Sequence, residues 1–248
     1  MNYQAVLFDF GGVFTASPFH AVENFAQREN IEPQLFADTI FGQYGIDGDH
    51  PWHQIERGEI SLDDAREQII QLGEQRGFTA DIFTVFASMA DNGGSPRTAL
   101  AELAIEIRNA GAITACVTNN IKEFGEGWKG MLPVDKMFHH IIDSSHVGVR
   151  KPEAEIFSIA LKTVGVDASR ALFLDDFSAN VDAAKALGID SILVTPDEEK
   201  TIIPCAGRNL PVKCYVIEVQ FLDTSASKFN YSLLLYMFIP LILGIVYG

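Results

Sequence analysis

Ala5-Val6-Leu7-Phe8-Asp9-Phe10-Gly11-Gly12 decides how this 248-residue chain folds. The run Ala5 to Phe10, apolar but for Asp9 and closed by the glycine pair, predicts a short buried strand with Asp9 at its carboxyl end. Similar apolar runs recur at residues 113–118, 171–175 and 191–194, with a weaker one near 138–142. Helical patterns lie between them, at 98–109 before Gly111, at 153–164 after Pro152 and at 178–187 before Gly188. Proline at a helix start and glycine just past its end are the expected punctuation. Strands alternating with helices of this length predict an α/β fold with a parallel sheet. Ligands of such sheets bind at the carboxyl ends of the strands, where Asp9, Thr118 and Asp175 all fall.

Residues 17–95 break the alternation. They read as helices near 20–28, 34–41, 62–76 and 80–89, with no good strand, and Asp91-Asn92-Gly93-Gly94-Ser95-Pro96 reads as a hinge. The expected architecture is a Rossmann-like parallel sheet core, residues 1–16 and 96–200, with a helical cap, residues 17–95, inserted after the first strand. Residues 201–228 are a linker or unassigned, and an apolar C-terminal tail follows at 229–248.

With 21% charged and 48% hydrophobic residues, the composition is that of a globular protein. A net charge of −15 argues against a nucleic-acid partner, because phosphate backbones are bound through clustered Lys and Arg. A small anionic substrate remains compatible, since a bound Mg2+ and a few placed cations reverse the field locally. Cys116, Cys205 and Cys214 have no metal-ligand spacing and cannot all pair. Cys116 lies in an apolar run and reads as core, and the set fits a reducing, intracellular setting. The first residues carry no basic segment followed by an apolar one, so a signal peptide is not expected.

The ordered set Asp9-Phe10-Gly11-Gly12-Val13, Thr118-Asn119, Lys151-Pro152 and Asp175-Asp176 resembles the four motifs of the haloacid dehalogenase superfamily, over roughly residues 3–196. It is most similar to the phosphatase-like branch that includes the N-terminal domains of soluble epoxide hydrolases and of an acyl-CoA dehydrogenase family member. The resemblance implies a Mg2+-dependent hydrolase of small phosphorylated metabolites. Asp9 would be the nucleophile, and the aspartyl-phosphate would split one hard step into two. Mg2+ takes octahedral oxygen ligands. The implied set is Asp9, the Gly11 carbonyl and Asp176, with Asp175 beside them as the orienting acid and Asn180 behind. Thr118 and the amides near Asn119 would hold phosphoryl oxygens, while Lys151 would add positive charge and restrain Asp9.

One position departs from the pattern. Many phosphatases of the superfamily carry a second Asp two residues after the nucleophile, which protonates the leaving alcohol. Here that position is Gly11. His20, His53 and Glu56 are the nearest polar substitutes in the cap, each read as a surface or capping residue. Two alternatives stay open: a carbon–halogen hydrolase of the same superfamily, and a phosphate-binding or scaffold protein without turnover.

The tail is the last expectation. No residue from 229 to 248 is charged, and about 20 apolar residues suffice to cross a bilayer as a helix. The run reads as a candidate membrane anchor for a cytoplasmic catalytic domain, against a core-docked element or a non-native tail from an altered reading frame.

Overall fold

The computed structural model describes residues 3–92, 96–125 and 127–194. The segments at 201–228 and 229–248 lie outside the described residues, among which no helix is long and apolar enough to cross a membrane.

Five parallel strands form one sheet: β1 (Ala5–Phe8), β2 (Ile113–Thr118), β3 (His140–Asp143), β4 (Ala171–Asp175) and β5 (Asp190–Leu193), in the order β3-β2-β1-β4-β5. All four residues of β1 are buried, because helices cover both faces of the sheet. Val6 and Phe8 point into one core with α6 (Thr98–Asn109), and Ala5 and Leu7 into the other with α9 (Ala154–Val164) and α10 (Ser178–Ala186). That two-sided burial is why the strands read as continuous apolar runs rather than alternating ones. The expected α/β sheet is therefore the observed one.

Asp9 sits one residue beyond β1. Its backbone N–H still donates to the Leu174 carbonyl at 2.8 Å, so the ladder holds it although the strand has ended. β3 starts two residues later than its apolar run suggested. Phe138 still closes α7 (Val134–Met137), donating its N–H to the Val134 carbonyl at 2.9 Å.

Between β1 and β2 lie α1 (Pro18–Arg28), α2 (Pro33–Ile40), α3 (Pro51–Glu56), α4 (Leu62–Gln75) and α5 (Ile82–Asn92). They share their own core of Val22, Phe36, Ile40, Ile55, Ile69 and Val85, which reaches Ile121 in the loop after β2. The sequence signals are local: Ser61 accepts from the Asp64 N–H at 3.1 Å to start α4, with Asp63 and Asp64 in its first turn. Helix α3 escaped the sequence reading because six residues are too few for a periodic pattern. It is nucleated by Pro51 in the first turn and by His50 Nδ1, which accepts from the Trp52 N–H at 3.1 Å. Helix α8 (Ser144–Val147) is shorter still and carries no periodic signal either.

Candidate active site

The loop after β1 brings Gly12 against Asp176, the acid that follows β4. Gly12 has a φ of +74°, and a Cβ added there would fall inside the Asp176 carboxylate. Only glycine lets the loop pass that close. Gly11 is different, because an added Cβ would meet no atom within 4 Å. The Asp9 carboxylate is pinned through Oδ1, which accepts the Phe10 N–H at 2.7 Å and faces Lys151 Nζ at 2.7 Å.

Lys151 is the link between the strand ends. Its ammonium, 1% exposed, lies 2.7 Å from Asp9 Oδ1 and 2.7 Å from Asp175 Oδ2. Burial alone would lower its pKa, but the Asp175 and Asp9 carboxylates outweigh burial and raise it, so the charge is retained. Its main chain is clamped by the Asn119 side chain: Lys151 N–H donates to Asn119 Oδ1 at 2.8 Å, and Asn119 Nδ2 donates to the Lys151 carbonyl at 3.0 Å. Thr118 ends β2 beside this clamp, buried and in register with Asp143 of β3.

Asp175 is saturated by protein donors. Oδ1 accepts the Phe177 N–H at 2.8 Å and Asn180 Nδ2 at 3.1 Å; Oδ2 accepts Lys151 at 2.7 Å and the same Asn180 nitrogen at 3.1 Å. Asp176 is tied less tightly, with the Ser17 side chain as its polar neighbour. Asp9, Asp175 and Asp176 each offer an oxygen, all within 4.8 Å of one another. Burial pushes the Asp9 carboxyl up to about 8; Lys151 opposes the shift, and the Asp175 and Asp176 charges add to it. Burial and then the Asp175 charge push Asp176 up to about 6. One lysine does not neutralise three converging carboxylates. A divalent cation among oxygen donors fits the set; Asp9 and Asp176 would be the groups left to hold it, since Asp175 is already committed to Lys151 and Asn180.

A pocket of about 210 Å³ opens beside Asp176, lined by Gly12, Ser17, Phe19, His20, Arg97 and Phe177. The Phe19 and Phe177 rings stack with centroids 5.4 Å apart and form its apolar wall. A larger cavity, about 360 Å³, lies at the amino ends of β1 and β2 among Tyr3, Gly111 and Val166, away from these acids.

The three polar cap residues separate. His20 is exposed and lines the pocket. His53 and Glu56 are each 2% exposed, which corrects their reading as surface or capping residues. Glu56 is committed on both oxygens: Oε1 accepts Trp52 Nε1 at 2.8 Å and the Tyr44 hydroxyl at 3.0 Å, and Oε2 accepts Arg150 Nε at 2.7 Å. Arg150 and Tyr44 were missed by sequence reasoning. Arg150 is fully buried, and its one sequence signal was its position directly before Lys151. Cys116 is buried in the core with its thiol free.

The family model of haloacid dehalogenase-like hydrolases matches residues 3–188. Acyl-CoA dehydrogenase family member 10 of Mus musculus is 30% identical over 202 residues, which is 79% of this chain but only 18% of that longer protein. Sesquiterpene phosphatase astK of Aspergillus oryzae is 26% identical over 202 residues, covering 78% of this chain and 91% of that one. Among solved structures, a HAD family enzyme from Bacteroides thetaiotaomicron in complex with magnesium and inorganic phosphate superposes with a TM-score of 0.55. At 19% identity, over 81% of this chain and 98% of that one, it shows a shared fold.

Proposed function

The chain belongs to the haloacid dehalogenase-like hydrolase family, and on that premise we propose that it is a Mg2+-dependent phosphatase of small phosphomonoesters working through an aspartyl-phosphate on Asp9. The observation that carries this reading is the Lys151 ammonium, 2.7 Å from both Asp9 and Asp175, with Asp176 cradled against Gly12.

Phosphoryl transfer needs a nucleophile, neutralised oxygens and in-line placement. Pinned through Oδ1, the Asp9 carboxylate attacks phosphorus while the bond to the leaving oxygen breaks. Water then attacks the phosphorus of the aspartyl-phosphate, releasing inorganic phosphate and restoring Asp9. The Thr118 hydroxyl and the Asn119 backbone N–H hold transferring oxygens, and Lys151 balances their charge. Asp9, the Gly11 carbonyl and Asp176 would hold Mg2+, which when bound would supply the remaining charge neutralisation. Gly11 offers no proton to the leaving oxygen. Of the three polar cap residues only His20 lines the pocket beside Asp176. The phosphatase named among the relatives and the Mg2+- and phosphate-bound neighbour support the reading.

The test is phosphate release from a panel of phosphorylated metabolites, with Mg2+ and with EDTA, alongside halide release from 2-haloacids. Phosphate released only with Mg2+ supports the phosphatase. Halide released in EDTA supports the dehalogenase instead.

A further inference from the structure

The Arg150–Lys151 dipeptide closes a ring of contacts that runs out of the core, through the cap and back. Lys151 is clamped at both main-chain groups by the Asn119 carboxamide. Asn119 Nδ2 also donates to the Tyr44 hydroxyl at 3.2 Å. That hydroxyl donates to Glu56 Oε1 at 3.0 Å, and Glu56 Oε2 accepts Arg150 Nε at 2.7 Å. The peptide bond from Arg150 to Lys151 completes the loop. Tyr44 and Glu56 belong to the cap, whereas Asn119, Arg150 and Lys151 belong to the core. The guanidinium lies 4.7 Å above the Tyr44 ring, its Nη1 is 3.5 Å from Asp47 Oδ1, and its Nη2 donates to the Tyr44 carbonyl at 3.4 Å. It is fully buried, where a charge is tolerated only with well-placed partners.

We propose that Arg150, Glu56 and Tyr44 are positioning residues that couple the seating of the cap to the placement of the Lys151 ammonium. A cap seated on the core holds the Tyr44 hydroxyl and the Glu56 carboxylate in place. These fix the Asn119 carboxamide from one side and the Arg150 side chain from the other. Both restraints converge on the Lys151 backbone, whose side chain spans Asp9 and Asp175. A cap lifted from the core releases all of them together. The site is then assembled by closure, the kind of gating expected of lids over phosphoryl groups. The link to catalysis rests on the phosphatase reading; the link between cap and Lys151 does not.

Two variants test it. Tyr44→Phe cuts the ring at its hydroxyl and leaves the buried ion pair intact; Arg150→Lys keeps the charge but loses the guanidinium fork. Other ties hold the cap in both, Lys122 Nζ to the Gly58 carbonyl at 2.6 Å and the Leu62 N–H to Glu123 Oε1 at 2.8 Å. The first readout is amide hydrogen exchange at Lys151, resolved by NMR, which needs no activity. Exchange at that one amide is expected to rise about tenfold or more in both variants as a local opening. Arg66→Met, which breaks the cap-internal pair with Asp81, is the control and leaves it unchanged. The second readout is kinetics: kcat falls about tenfold while KM moves less than about threefold, the signature of lost alignment rather than lost binding. Wild-type protection at Lys151 in both folded variants overturns the coupling. Lost protection with unchanged kcat overturns its catalytic part. If the wild type releases no phosphate, the phosphatase reading fails and the exchange result alone decides the coupling.

Discussion

Asp176 fills the space that a side chain on Gly12 would need. The Cβ of any other residue there would fall inside the Asp176 carboxylate, and the φ of +74° adds strain for an L residue. Gly12→Ala is therefore expected to displace Asp176 while leaving Asp9 and Lys151 in place. Disturbing a neighbour that holds a metal ligand in place costs about 10- to 100-fold in metal affinity or activity. The check is the Mg2+ concentration giving half-maximal phosphate release, which should rise by that order. An unchanged Mg2+ requirement would remove Asp176 from the ligand set.

Gly11, one residue earlier, is open to a side chain. Gly11→Asp should place an acid near the leaving oxygen, and general acid catalysis contributes about a hundred- to ten-thousandfold where it is needed. Alkyl phosphates, whose leaving groups are strongly basic, should gain more than aryl phosphates. Steady-state kcat for one substrate of each kind decides it. Equal or negative effects would show that His20 or another group already supplies the proton.

The sheet was legible because burial on both faces leaves unbroken apolar runs, as in Ala171 to Asp175, where expectation and strand coincide. The strand-end residues were legible for the same reason: Asp9, Thr118 and Asp175 each close such a run. Helix α3 and the ring through Tyr44, Glu56 and Arg150 were not. A six-residue helix carries no periodicity. The Arg150–Glu56 contact joins residues 94 positions apart, and nothing local marks a buried arginine as different from a solvated one. His53 was misjudged on the same ground, since burial of a lone polar residue is decided by the fold around it.

His53 carries a pH prediction. Burial first, then the Arg150 guanidinium and His50, hold its imidazole down at about 4, with Asp47 acting in the opposite direction. The folded pKa lies below the ordinary 6.5, so as pH falls through that window the unfolded chain takes up a proton that the folded chain refuses. Stability is therefore lost as pH falls from 6.5 towards 4, and this group contributes no pH dependence above 6.5. His53→Gln removes the effect. The difference in thermal midpoint between wild type and variant should move in the variant's favour on going from about pH 7 to about pH 4.5. A difference that stays constant with pH would contradict the assignment.

The covalent step on Asp9 is tested by trapping the enzyme during turnover. Acid quench of the enzyme with a turned-over phosphomonoester and Mg2+, followed by peptide mass spectrometry, reads the adduct directly. One phosphoryl group is expected on the peptide containing Asp9, absent with EDTA and absent in Asp9→Asn, which keeps the fold but has no nucleophilic carboxylate. Mg2+-dependent release of phosphate at an undiminished rate by Asp9→Asn, or turnover with the adduct on another residue, would contradict it.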